Sequence, residues 1–171
     1  MRIVSKQVSS VKKKVIAFGC DKWGYSAADL TGTTRRKYAT NFYLIRVRCT
    51  GRIGIHLIME CFLNGADGVA IISWKEGECE FGSGNMNTYS HILFLKKLFN
   101  HLGISEDRIQ QYFCSAADVE RFVSAVEDIT KKIALLPPLP KKIKSELVWS
   151  LQKKFCWKVT NPVRGIRSLL K

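Results

Sequence analysis

The sequence predicts a single three-layer α/β domain, with a four- to five-stranded, mainly parallel sheet between helices and basic extensions at either end. Two observations predict it. Strand-like apolar segments alternate with segments whose apolar residues recur at helical spacing, as in β–α–β units joined by right-handed crossovers. One segment, GVAIISW (68–74), is a nearly unbroken apolar run, as a strand covered on both faces should be.

The elements follow in order. VIAFGC (15–20) is β-branched at its start and closes on a turn-like Gly-Cys-Asp, the first strand. AADLTG within 26–40 makes a short helix and RRKY an exposed stretch. NFYLIRVRC (41–49) is rich in strand formers and ends at CTGR. Residues 53–64 carry Ile55, Leu57, Ile58, Cys61 and Phe62 on one face and stop at Gly65, a helix with its C-terminal glycine. After GVAIISW, residues 85–102 form a second such helix, ending at Gly103. RIQQYFCSA (108–116) is a weaker strand, and residues 117–136 space Val119, Phe122, Val126, Ile129 and Ile133 as a helix does. A flavodoxin- or Rossmann-like strand order of 2-1-3-4 suits this alternation. PPLP (137–140) ends the domain, giving a basic arm over 1–13, the α/β domain over 14–136 and a basic amphipathic extension over 137–171.

Composition narrows the function classes. No apolar run approaches the roughly 18 residues of a membrane span. The apolar run after Lys12, Lys13 and Lys14 is shorter than the roughly 7–15 residues of a signal core, so the protein is expected in the cytoplasm, with no membrane contact. The net charge of +14 invites a nucleic-acid reading, but its distribution argues otherwise. Residues 1–14 hold five basic residues and no acid, residues 15–136 hold 14 basic and 13 acidic, and residues 137–171 hold nine basic and one acidic. The folded body is balanced, and the basic termini suit an acidic partner surface better than DNA or vesicles. KKIKSELVWSLQKKF, with Ile143, Leu147, Val148 and Leu151 on one side, has the pattern of a helix that docks in a groove.

All carboxyl ends of a parallel sheet lie on one edge, where open α/β proteins place their sites. Cys20 and Cys49 end the first and second strands, Cys79 follows the third by five residues, and Cys114 lies near the end of the fourth. Thiolates gathered there suit an iron–sulfur cluster or zinc. Buried free cysteine, a small hydrophobe, is the alternative reading. Cys61 reads as core, Cys156 has no assigned role, and no CxxC or HxxxH pair exists. In CTGR, Gly51 makes a turn and Arg52 reaches an anion or a cluster. In GECEFGSGN, Gly84 and Asn85 start a helix whose N-terminus holds negative charge. His56, His91 and His101 read as structural, and no catalytic group stands out.

In order, FGCxxxGYxxADLxG, RVRCTGR, NGADGVAII and EGECEFGSGN, with LKKLFNHLGI and SAADVERF after them, resemble the delta subunit of methyl-viologen-reducing hydrogenase over about residues 14–136. The resemblance implies an electron carrier that holds a [2Fe–2S] cluster. It would stand between hydrogenase or dehydrogenase subunits and the flavin-containing subunit of heterodisulfide reductase. Cys20, Cys49 and Cys79 match family cysteines, and Gly51, Arg52, Gly68, Gly77, Gly84 and Asn85 match motif positions around them. The departures fall among the ligands. Gly19 and Trp23 stand where the first motif, CCxxCxY, has cysteines, and Trp74 stands at the first cysteine of GCxxGxC. An indole N–H only donates, so it cannot ligate iron. Three readings stay open: a cluster completed by Cys114, water or a partner; a cluster-free docking or scaffold subunit; or a UGA codon written as tryptophan at positions 23 and 74.

Overall fold

The computed structural model describes residues 13–139. Its order is β1 (Val15–Cys20), α1 (Ser26–Thr33), β2 (Phe42–Val47), α2 (Ile55–Leu63), β3 (Gly68–Ser73), α3 (Gly84–His101), β4 (Ile109–Phe113) and α4 (Val119–Leu135). Single helical turns at Asp21–Tyr25, Thr50–Arg52 and Glu106–Arg108 complete it. The four strands are parallel in the order β2-β1-β3-β4, the order expected from the alternation. Val15 registers with Phe42 on one side and Gly68 on the other, and Val69 registers with Ile109.

Strand parity builds two cores. Ile16, Phe18, Val69 and Ile71 point to α2 and α3, where they meet Ile58, Phe62, Ile92, Leu95 and Phe99. Val15, Ala17, Ala70 and Ile72 point the other way, onto Ala27 and Ala28 of α1 and Phe122, Val126, Ile129 and Ile133 of α4. Every residue of β1 and β3 is buried, which is why GVAIISW lacks polar alternation. The short α1 is hard to read from periodicity because it packs through Ala27, Ala28 and Thr31, small or polar residues.

The chain past residue 136 still packs on the domain. Leu139 is buried in the α2–α3 core, and the buried Arg108 guanidinium donates to the Asp67 carbonyl at 2.9 Å and to the Pro137 carbonyl. Burial holds the Arg108 pKa below its usual value, with the nearby Asp67 charge opposing the shift. At the other end, Lys13 Nζ donates to the carbonyls of Ile133 and Ala134, both at 3.0 Å, and to that of Leu136, closing the last turn of α4. The basic amphipathic segment predicted beyond PPLP lies outside the described residues, as does Cys156. No helix among the described residues is long and apolar enough to cross a membrane.

Candidate functional site

Three loops at the carboxyl edge build the site. Where β1 ends, the chain makes a single wide turn over Asp21–Tyr25, and the Cys20 sulfur accepts the Gly24 amide at 3.4 Å. Glycine is required at 24, since a Cβ there would stand 2.4 Å from the Ile72 carbonyl oxygen. This close seat against β3 brings Trp23 over Trp74, the residue after β3. Their ring centroids are 3.4 Å apart and their planes 22° from parallel.

The second loop follows β2. Cys49 precedes the turn Thr50–Arg52, and its sulfur accepts the Gly51 amide at 3.4 Å. The third joins β3 to α3, with Cys79 bridged to Gly82. Asn85, buried in the first turn of α3, donates from its side chain to the carbonyls of Trp74 at 3.0 Å and Lys75 at 2.7 Å, tying the loop to the helix. Thr88 donates to the Thr50 carbonyl at 2.6 Å and joins the second loop to α3. Gly51 and Gly84 meet backbone to backbone: a Cβ on Gly51 would lie 2.7 Å from the Gly84 Cα.

Cys20, Cys49 and Cys79 therefore line one small cavity of about 20 Å³, with Trp23, Trp74 and Asn85 in its wall and Lys22, Arg48, Glu80 and Phe81 at its rim. A Cβ built on Gly84 would stand 2.6 Å from the Cys49 sulfur and 3.4 Å from that of Cys79, so both thiols lean over the same glycine. Burial pushes the Cys20 thiol up, against the opposing pull of the Gly24, Trp23 and Trp74 amides. Burial also raises Cys49, offset by the Gly51 amide and reinforced by Cys79. Lys22 pairs with Glu80 at the rim, while Arg46 pairs with Asp21 and lies 5.4 Å from the Tyr25 ring centre.

The other predicted site residues take different places. Cys114 is fully buried on the α1–α4 side, where its thiol donates to the carbonyls of Ser115 at 3.3 Å and Asp118 at 3.4 Å. Burial pushes it up to about 11, and it does not line the cavity. Cys61 is core, as read, with burial pushing it up to about 12. Arg52 is exposed and lies outside the lining; Arg48, four residues earlier, takes the rim position. Asn85 lies inside α3, after Ser83 at the helix start: its side-chain nitrogen donates to the loop carbonyls, and its Oδ1 accepts the Met86 amide at 2.9 Å. Gly51 and Gly84 serve by having no side chain. Gly19 faces away from the cleft, because strand parity sends it opposite Cys20, toward the Tyr25 amide and Leu44. Sequence reasoning missed Arg48, Lys22 and Phe81. Phe81, an aromatic residue in a Gly-rich loop, carried a signal: it is 60% exposed at the cavity mouth.

The residues present do not fit a two-iron cluster. Such a cluster takes four soft ligands, and the cleft offers three thiols and two indoles. Among the described residues, no group of three or more His, Cys, Asp or Glu is arranged to hold a metal ion.

The fold and the site together define a parallel α/β domain with three cysteines gathered at its strand ends. The family model for the methyl-viologen-reducing hydrogenase delta subunit matches residues 15–136, and the chain belongs to that family. It is 41% identical over 128 residues to the vhu iron-sulfur subunit of an F420-non-reducing hydrogenase from Methanocaldococcus jannaschii, covering 75% of this chain and 96% of the relative. The corresponding subunit of Methanopyrus kandleri is 39% identical over 130 residues, 76% of this chain and 98% of that one. A subunit of the ferredoxin:CoB-CoM heterodisulfide reductase of Methanosarcina mazei is 33% identical over 132 residues, 77% of this chain but only 17% of the larger protein.

Proposed function

We propose that this chain is a subunit of a redox complex of the hydrogenase–heterodisulfide reductase type, and that it acts there as a cluster-free docking subunit. The first half rests on the family and on relatives named as hydrogenase and heterodisulfide reductase subunits. Its partners are then hydrogenase or dehydrogenase subunits and a flavin-containing heterodisulfide reductase-like subunit. The second half is carried by one observation, the Trp23–Trp74 stack filling the cleft beside three thiols. An electron relay through Cys20, Cys49 and Cys79 would need a further soft donor, and the wall offers two indoles in its place. The basic extension over 137–171, nine basic residues against one acidic, supplies the charge for an acidic partner face.

The test is iron and acid-labile sulfide on the full chain, purified anaerobically and again after reconstitution, together with retention on a purified heterodisulfide reductase-like partner at rising salt. The expected result is iron far below stoichiometric and a retention that weakens with ionic strength. Iron and sulfide stoichiometric with the chain would overturn the cluster-free reading. Failure to bind any redox partner at low salt would overturn the docking reading.

A further inference from the structure

We propose that Cys49 and Cys79 are a redox-active dithiol, closing to a disulfide over Gly84 by exchange with a low-molecular-weight disulfide. This goes beyond the docking role and rests on the cluster-free reading, since thiols that ligate iron are not free to exchange; iron and sulfide content tests that reading separately.

The geometry singles out this pair. Both sulfurs lie within 3.4 Å of the one point a Gly84 Cβ would occupy, so their separation cannot exceed the sum of two short distances. Gly84 has no side chain to occupy that point. Both cysteines are part-exposed, as exchange with a dissolved disulfide requires, and they come from different loops. Gly51 and Gly84 in backbone contact hold the two loops together. Cys20 lines the same cavity but is buried, where Cys49 and Cys79 are part-exposed. Cys114 is fully buried and hydrogen-bonded elsewhere, and Cys61 lies in the α2–α3 core.

The chemistry balances with the small disulfide as oxidant. One cysteine thiolate attacks a sulfur of RSSR, forming a protein–SR mixed disulfide and releasing RS⁻. The second thiolate attacks the protein sulfur of that mixed disulfide and displaces the other RS⁻. Two electrons pass from the protein thiols to RSSR, and the two thiol protons leave with two RSH. The edge that lacks a full cluster ligand set would thus retain a two-electron couple.

Oxidised glutathione is the probe. The full chain, reduced and desalted under anaerobic conditions, is incubated with it, alkylated and mapped by non-reducing peptide mass spectrometry. The expected product is a Cys49–Cys79 cross-linked peptide pair, with Cys20, Cys61 and Cys114 alkylated after denaturation. In Cys79→Ser, Cys49 should instead hold a stable glutathione adduct. Persistent adducts on both Cys49 and Cys79 of the wild type without a cross-link would overturn the proposal, as would a cross-link that runs to Cys20. The wild-type map needs no substitution, so it decides the matter even where the variant folds poorly.

Discussion

Replacing Gly51 with alanine probes the backbone contact on which the site depends. Its Cβ would stand 2.7 Å from the Gly84 Cα, 3.0 Å from the Gly84 oxygen and 3.1 Å from the Gly84 carbonyl carbon. Carbon atoms in ordinary contact sit about 3.5–4.0 Å apart, so the two backbones must separate by roughly 1 Å. All three obstructing atoms are main chain, so no side-chain rotation relieves the clash. The same displacement stretches the 2.6 Å hydrogen bond from Thr88 to the Thr50 carbonyl, and Thr50 and Thr88 are both buried. Overpacking of this kind costs about 1–3 kcal/mol. The hydrogen-bond loss is part of that distortion and is not added to it. For a domain of this size a loss of 1 kcal/mol lowers Tm by roughly 4 °C, so Gly51→Ala should melt about 4–12 °C below wild type. Circular dichroism melts under reducing conditions measure it. Gly32→Ala is the control. A Cβ there meets nothing within 4 Å and lies within α1, so it should hold or raise Tm, alanine being favoured over glycine in a helix by roughly 0.5–1 kcal/mol. If Gly51→Ala melts with Gly32→Ala at or above wild type, the close approach of the two loops is wrong.

Two further predictions are independent of that contact. A double-mutant cycle on Trp23→Ala and Trp74→Ala, read by urea unfolding, should return a coupling of about 0.5–1.5 kcal/mol; additive losses would mean the indoles do not stack in solution. The Tyr112–Asp128 hydrogen bond, at 2.6 Å, sets a pH dependence. Burial acts to raise the Asp128 pKa, but Lys132 and Tyr112 outweigh it, and the net shift is downward. Its contribution is therefore present above the unfolded carboxylate value near 3.8 and lost as pH falls through the lower folded value. Tyr112 is raised, by burial first and then by Asp128, so its contribution holds below the unfolded value near 10 and is lost as pH rises beyond it. Tyr112→Phe should flatten the alkaline loss in stability measured against pH; an unchanged alkaline limb would refute the assignment.

Much of this was legible in the chain. Strand and helix periods are local, so VIAFGC, GVAIISW and the spacing of Val119, Phe122, Val126 and Ile129 announce their elements without reference to anything distant. Parallel pairing then sends every strand end to one edge, which is why Cys20, Cys49 and Cys79 could be expected side by side from their positions alone. Cys114 escapes that rule. A residue just past a strand end can turn to either face, and the Ser115 and Asp118 carbonyls hold its thiol on the α1–α4 side. Arg48 likewise stands where Arg52 was expected, because nearness to CTGR in sequence says nothing about which side chain a turn directs into a cleft.

The layers and the edge at which thiols gather are therefore properties of the chain, since they follow from local periodicity and parallel pairing; the order β2-β1-β3-β4 suits the alternation but was decided by the tertiary structure. Folding in three dimensions was needed to set Trp23 on Trp74, to bring Gly51 against Gly84, and to lean Cys49 and Cys79 over the same glycine. Those contacts join loops far apart in the chain, and their geometry is set by how closely three backbones can approach, a property that no single segment carries.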